Sequence, residues 1–553
     1  MPLSEAGSPL SSLMRPRALL LALTLLALLV LGLGRAPLFD VDEGAFSEAT
    51  REMLASGDWG HTTLNGADRF DKPIGVYWLQ AASVAVFGIN EWAVRLPSAL
   101  AAWVAALALG AFAAARLGPA AGALAAVVHA TAFGSWAMAH AATADAVLGL
   151  WLVLSALDLW RYLERGDLAA LRRLGAWVGL GLLVKGPVAV LIPLAALLLS
   201  CLAARDAQPL WRALRDVRTW AWLLLLSAPW YAYALWRHGQ AFIDGFILKH
   251  NVERFSAPME GHSGGWLYFL VVAPLLWMPW SPLLLGWWGR LGALWRQAHT
   301  RHALIWAGFV LVFFSLSGTK LPHYGLYAAP GVVLLIAAAA VHARTALWVV
   351  VGALLLLWQA LMVGVPLAFT RGPEHWVPEA LRESVLGTPA AVPLQAIALL
   401  WGVLALAWGL WRWRARGGPA RVTQRVAMTT LAAMALVHAL VLTWVVWPWW
   451  AQTLQGPVRT LALGARSLEM PVQQLGGNWP SFAFYRQQPL SRRPEPVADT
   501  VFLLRASELA QRPAWTVLAR ERGMVLARPA PASALMPAPS SPEQTAAPAA
   551  LRP

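Results

Sequence analysis

Apolar runs long enough to cross a bilayer alternate with short basic links along most of the chain, and this alternation predicts an architecture before any single residue does. The first run covers about residues 17–34, follows Arg15 and Arg17, and lacks a small-residue cleavage site leading into a soluble domain. It reads as a span whose N-terminus faces the cytoplasm. Spans are expected next at about 94–115, 119–138 and 142–160. The run 174–204 is too long for one span and is broken at Lys185-Gly186-Pro187, so it predicts two. The series continues at about 219–236, 266–288, 303–317, 322–342, 345–368, 390–411 and 425–447. The total is about thirteen, with arginine-rich links inside and the C-terminus outside.

Three polar stretches interrupt this pattern on the outer side: Arg35 to Pro73, residues 237–265 and residues 317–324. In the first, Glu48 and Glu52 stand at helical spacing and predict a short amphipathic helix on the membrane surface. Ile74 to Ile89 predicts a second surface helix, which extends the first outer loop over 35–93. From about 450 to 528 the pattern changes to short apolar segments separated by Gly-Gly, Pro and Arg, as expected of a small α/β outer domain following a membrane domain at 1–449. Residues 529–553 are Pro/Ala-rich, too poor in large apolar residues to pack, and are expected to be disordered.

Composition agrees. The 553 residues are 58% hydrophobic with a mean hydropathy of +0.55, too apolar for a soluble globule. The net charge of +15 follows from the basic inner links; no recognition motif accompanies it, and nucleic acid is not an expected partner. Cys201 is the single cysteine, so no intramolecular disulfide can form.

The outer loops carry the candidate chemistry. In a chain with 13% charged residues, the first loop holds eight carboxylates, with Arg51, Arg69 and Lys72 among them. Asp42 and Glu43 are adjacent, so their side chains diverge and at most one enters a given pocket. Lys72, Arg254 and Lys320 are the cations for a phosphate, with the Tyr324 hydroxyl beside them. Asp42, Glu43 and Asp145 are the candidate catalytic carboxylates, Asp42 being preferred. Each has a plainer reading: a solvated acidic loop for the first two, a helix cap for Asp145 beside Thr143, and snorkelling for Lys185, Arg254 and Lys320. His250, His262 and His323 lack tight ligand spacing; Asp71 with His250 is the pair open to a divalent cation, and no cofactor is required.

The segments DEGAFSEATREM (42–53), RFDKP (69–73), TADAVLG (143–149), LLVKGP (182–187), KHNVERF (249–255), MPWSP (278–282) and SGTKLPHY (317–324) occur in an order that resembles the bacterial aminoarabinose transferases of lipid A. These sit among the protein mannosyltransferase-like glycosyltransferases of the GT-C fold (families 39 and 83). The resemblance implies an all-α polytopic GT-C protein of the bacterial inner membrane with its active site facing the periplasm. It implies a sugar donor on undecaprenyl phosphate, surrounding membrane lipids, and lipid A or another periplasmic glycan or protein as acceptor. By position it implies Asp42 as the first-loop aspartate, Lys72 as the phosphate lysine, and Arg254, Lys320 and Tyr324 as further donor-site groups. Glu48, Asp71, Lys185, His250 and His262 are implied to organise substrate or loops. Ala45, Phe46 and Ser47 replace the residues usual before Glu48, and Asp71 replaces a glutamate, departures that bear on the sugar and acceptor rather than on reaction class. The alternatives are a transferase acting on protein or another surface glycan, or a lipid flippase. A transporter would place its ionisable groups near the membrane midplane rather than in outer loops.

Overall fold

A computed structural model describes residues 16–258, 262–377, 379–385, 420–492 and 500–529, with isolated positions at 402, 405, 408 and 409. Among these, six helices are long and apolar enough to cross a membrane: Glu91–Leu117, Asp145–Arg165, Ala298–Leu316, Pro322–His342, Thr345–Arg371 and Gln424–Leu454. Two bent pairs, Pro119–Thr131 with Phe133–Ala139 and Tyr268–Leu276 with Ser281–Trp287, raise the number to eight if each is one span. The expected spans near 17–34, 174–185, 187–204 and 219–236 are helices too, Pro16–Val30, Leu168–Lys185, Val188–Ala204 and Val217–His238, but shorter or more polar than the six. The span expected at 390–411 falls almost wholly outside the described residues, as does the tail after residue 529.

The two bent pairs meet at their breaks. Phe133 N donates to Met278 O at 3.0 Å, and Trp280 Nε1 donates to Thr131 Oγ1 at 3.0 Å. Each break frees backbone groups that lipid cannot satisfy, and the other break partly supplies the partners.

Helices Asp145–Arg165 and Leu168–Lys185 form a tight antiparallel hairpin. Gly166, at φ 68°, ends the first, and the Asp167 carboxylate accepts from Ala169 N and Ala170 N to start the second. At the turn end, Arg116 pairs with Glu164 at 2.7 Å, and Arg161, Arg173 and Trp177 surround Asp158. About 20 residues of helix span roughly 30 Å, so Asp145 and Lys185 both emerge at the opposite end.

The first outer loop departs from expectation. Helix Asp42–Ser56 is no amphipathic surface helix, because every residue from Glu43 to Met53 is buried. It is covered by helix Gly75–Phe87 on one side and by helix Pro480–Arg486 on another. The approach is so close that a Cβ on Gly44 would lie 2.4 Å from Ser481 N. Its charges tolerate burial by pairing: Arg51 holds Glu48 through two bonds of 2.7 Å. Helix Gly75–Phe87 is half-covered, with Tyr77 and Ala81 buried and Val86 and Phe87 exposed.

Two strands, β1 (Thr63–Leu64) and β2 (Ala67–Asp68), make a hairpin in this loop, turned by Asn65 and Gly66 at φ 55° and 76°. That is the asparagine-glycine turn whose twist suits a two-residue hairpin. Beyond residue 450, β3 (Val472–Gln474), β4 (Ser491–Arg492), β5 (Val501–Arg505), β6 (Thr516–Glu521) and β7 (Met524–Arg528) form a mixed sheet in the order β4-β3-β5-β7-β6. The β4-β3-β5 pairings are parallel and the β5-β7-β6 pairings antiparallel. This region grips the first loop through Tyr485, whose hydroxyl accepts from Leu38 N at 2.7 Å, and through Ser481, which donates twice to Asp40.

Candidate active site

The first loop is set by a buried clamp. Arg95 meets Glu43 with two bonds of 2.8 Å and also donates to the carbonyls of Leu33, Ala36 and Pro37. Glu43 accepts in addition from Phe39 N and Ala142 N. With its oxygens so occupied, Glu43 lines neither of the two cavities described next and holds the loop, in place of the catalytic role expected of it. Its cation is Arg95. Fixing Glu43 inward leaves Asp42, one residue earlier at the exposed start of the same helix, turned to the cavity described next.

That cavity, of about 350 Å³, is polar. Asp42, Arg69, Asp145 and His323 line it, together with groups shared with a second cavity. The second, of about 340 Å³, is walled by apolar side chains such as Val188, Leu191, Phe246, Phe313 and Phe314. Asp71, Lys72, Lys185, His250, Arg254 and Tyr324 line both. A chemically mixed ligand, charged at one end and greasy at the other, fits this junction.

Asp71 is the hub of the junction. It accepts from Arg69 Nη2 at 2.7 Å and Lys72 Nζ at 2.8 Å; His250 Nδ1 stands 2.9 Å away and Arg254 Nη1 4.0 Å away. Burial works to raise its carboxyl, but Lys72, with His250 and Arg69, outweighs burial and holds it well below the ordinary carboxylate range. One anion among several cations leaves a positive surplus, suited to a further anion. The Asp71–His250 pair, open to a divalent cation on the sequence, is thus brought together at 2.9 Å.

At the hairpin's outer end, Asp145 accepts from Lys185 Nζ at 2.5 Å and from the Tyr327 hydroxyl at 2.6 Å, with His323 Nε2 at 3.5 Å. Asp145 therefore is not capping its helix, and no cap bond to it exists. Lys185 does not snorkel outward; it turns in over the rings of Tyr324 and Tyr327, at 5.1 and 5.4 Å.

Other expected site residues lie elsewhere. Lys320 is buried and donates to Ser317 O at 2.5 Å, lining neither cavity. His262 is exposed, and its carbonyl accepts from Lys320 N at 3.1 Å. Glu48 lies within the buried helix, where burial, opposed by Arg51, raises its carboxyl to about 7. Arg95 and Tyr327 contribute although the sequence does not point to them, and Arg69 and His323, named above without a role, join the site. Arg69 sits two residues from Asp71 in the same loop, whereas Arg95 carries no comparable local signal.

A third cavity, of about 770 Å³, opens between the first loop and the C-terminal sheet. It adjoins the polar cavity at Val41 and Asn478 and is walled also by Asp40, Trp479, Arg505 and Met524.

Residues 71–236 match the family model described as dolichyl-phosphate-mannose-protein mannosyltransferase. The chain is 31% identical over 294 residues to undecaprenyl phosphate-alpha-4-amino-4-deoxy-L-arabinose arabinosyl transferase 2 of Pseudomonas fluorescens, covering 51% of this chain and 49% of that one. It is 31% identical over 296 residues to the corresponding transferase of Pseudomonas aeruginosa, covering 51% and 52%. The chain thus spans about half the length of the curated relatives it matches. Among solved structures, ArnT from Cupriavidus metallidurans bound to undecaprenyl phosphate superposes with a TM-score of 0.75 at 22% identity, covering 93% of this chain and 98% of that one. Its apo form gives 0.74 at 22% identity, covering 92% and 97%. At that identity the likeness is one of fold, and the GT-C fold expected from the motifs is the fold observed.

Proposed function

We propose that this chain, similar over half its length to aminoarabinose transferases and sharing the ArnT fold, is an inner-membrane glycosyltransferase. It moves a sugar from an undecaprenyl-phosphate donor to a periplasmic acceptor, with 4-amino-4-deoxyarabinose as the sugar and lipid A as the acceptor. The observation that carries the reading is the junction of polar and apolar cavities, lined on both sides by Lys72, Lys185, Arg254 and Tyr324. A polyprenyl phosphate has that two-sided chemistry. Its tail suits the wall of Val188, Leu191 and Phe246, its phosphate the cations around Asp71, and its sugar the polar cavity beside Asp42.

The reaction then runs as a single displacement. An acceptor oxygen attacks the anomeric carbon, the bond from that carbon to the phosphate oxygen breaks, and the phosphate leaves with the electron pair. Lys72 and Arg254 stabilise the charge that grows on it. Attack opposite the leaving group inverts configuration. On a hydroxyl acceptor Asp42 takes the proton; a phosphate acceptor is already ionised, and Asp42 then positions it. The third cavity is a route by which a bulky acceptor headgroup reaches Asp42 past Val41. On this reading residues 1–449 are the membrane catalytic part, and residues 450–528 form an outer α/β part that covers the first loop.

The test is transfer by the purified protein from undecaprenyl-phosphate aminoarabinose to lipid A, followed by mass spectrometry. Transfer by wild type and its loss in Asp42→Asn are expected. Binding of donor with no transfer to lipid A, to other surface glycans or to protein would overturn the enzyme in favour of a lipid transporter.

A further inference from the structure

We propose that Asn478 is an acceptor-binding residue, which the outer α/β region contributes to the reacting centre and whose side-chain amide donates to the headgroup oxygen that attacks the donor sugar. The proposal rests on the transferase reading and names a residue to which that reading gives no role. Among the described residues, Asn478 is the only wall of the polar cavity that lies beyond Tyr324 in the chain. With Val41 it also walls the third cavity, and these are the only two residues that the two cavities share. Val41 has no polar side chain. A headgroup passing from the third cavity toward Asp42 therefore meets one side-chain hydrogen-bonding group at the border, and that group is Asn478.

The fold holds Asn478 in this place without using its side chain. Strand β3 ends at Gln474, whose Oε1 accepts from Trp479 N at 2.9 Å, and Leu475 N donates to Leu503 O at 3.0 Å. Gly476 turns the chain at φ 78°, where a Cβ would fall 1.8 Å from the Glu508 carboxylate. Beyond Asn478, the buried helix Pro480–Arg486 is tied to the first loop by Ser481, which donates twice to Asp40, two residues before Asp42. The loop is thus fixed at both ends, and the Asp40–Ser481 contact sets its place relative to Asp42. The Asn478 side chain is exposed and, among the described residues, has no hydrogen-bond partner.

A neutral amide suits the border for a reason of charge. The Asp42 carboxylate only accepts, and the attacking oxygen of a hydroxyl or a phosphate carries lone pairs too, so a donor is needed beside them. The amide supplies two N–H groups and no charge. It neither draws the donor phosphate away from Lys72 and Arg254 nor ties up Asp42 in a bidentate pair, as an arginine would. A hydroxyl acceptor can give its proton to Asp42 while accepting from Asn478. A phosphate acceptor takes the same bond through a non-bridging oxygen. The class of ligand is an oxygen-rich headgroup, not an acyl chain.

The experiment uses the full-length protein in detergent with undecaprenyl-phosphate aminoarabinose and lipid A. Donor Kd, acceptor KM, kcat and thermal midpoint are measured for wild type, Asn478→Ala, Asn478→Asp and Asn478→Gln. Asn478→Ala is expected to raise the acceptor KM about 3- to 10-fold, as befits one neutral hydrogen bond, with donor affinity within about twofold and the midpoint unchanged. Asn478→Asp should raise it further, because a carboxylate replaces a donor beside Asp42. Asn478→Gln keeps the amide and should recover part of the loss. An acceptor KM in Asn478→Ala within about twofold of wild type, or wild-type transfer by Asn478→Asp, overturns the assignment. Equal losses of donor affinity, acceptor affinity and thermal midpoint overturn it too, since they mark a structural role. Wild type that binds donor but transfers to no acceptor overturns the transferase reading and this assignment with it. Normal wild-type transfer with a silent Asn478→Ala overturns this assignment alone.

Discussion

Lys185 Nζ lies 2.5 Å from Asp145 Oδ1, and the two side chains are only 11% and 10% exposed at the open end of one helical hairpin. Removing one partner of such a pair leaves the other charged and poorly solvated, at about 3–5 kcal/mol. Lys185→Met should therefore lower the thermal midpoint sharply, Tyr327 and His323 softening the loss. The double variant Asp145→Asn/Lys185→Met should regain most of it. A double variant as unstable as the sum of the singles would show that the two do not act as a pair.

The phosphate cations separate by position. Lys72→Met and Arg254→Met each remove a charge at the cavity junction and should weaken donor binding about 10- to 100-fold, the worth of a charged hydrogen bond. Lys320→Met should leave donor affinity within about twofold, because its ammonium is spent on the Ser317 carbonyl. Titration with undecaprenyl phosphate tells them apart, and a large loss in Lys320→Met would restore it to the site.

Asp42 and Glu43 should fail in different ways. Asp42→Asn is expected to cut turnover by about 10²–10⁴ on a hydroxyl acceptor with donor binding and folding retained. Glu43→Gln disturbs the bonds from Arg95, Phe39 and Ala142 and should reduce the folded yield instead. Kinetics on the folded fraction of each variant make the comparison.

Docking of the C-terminal region onto the first loop should depend on pH. Burial, opposed by the bonds from Ser481, raises the Asp40 carboxyl from 3.8 to about 7. A raised folded-state value means that the group's stabilisation is complete below about pH 4, falls as pH rises to about 7, and is lost above it. Glu48, also raised to about 7, adds a slope of the same sign. Asp71, held low, acts in the opposite sense and only below that window. The thermal midpoint should thus fall between pH 5 and pH 8, and fall less steeply in Asp40→Asn. Parallel slopes in the two proteins would remove Asp40 as the cause.

Several expectations about placement were readable from local sequence, and others were not, for reasons the residues make plain. The Lys185-Gly186-Pro187 break is where the helix ends, because proline lacks a donor and Gly186 adopts φ 81°. Asn65-Gly66 specifies the hairpin, and with it the return of Asp68 to His61. Helix Asp42–Ser56 misled because its composition suits a wet surface, while its cover comes from Ser481 and its neighbours, 441 residues from Asp40. No local pattern carries that information.

The sequence by itself determined where the helices run, which links are basic, and which side of the chain collects carboxylates and cations. Those follow from chain-local physics: backbone groups in lipid must be satisfied within their own helix, and charge is excluded from the bilayer core. Tertiary structure decided which charge meets which. Glu43 found Arg95 across 52 residues, Asp145 found Lys185 across 40, and Lys320 turned to a backbone carbonyl three residues away. Long side chains reach several ångströms in many directions, so adjacency in a loop cannot choose among partners. Packing chooses, by leaving one rotamer in which a buried charge is paired.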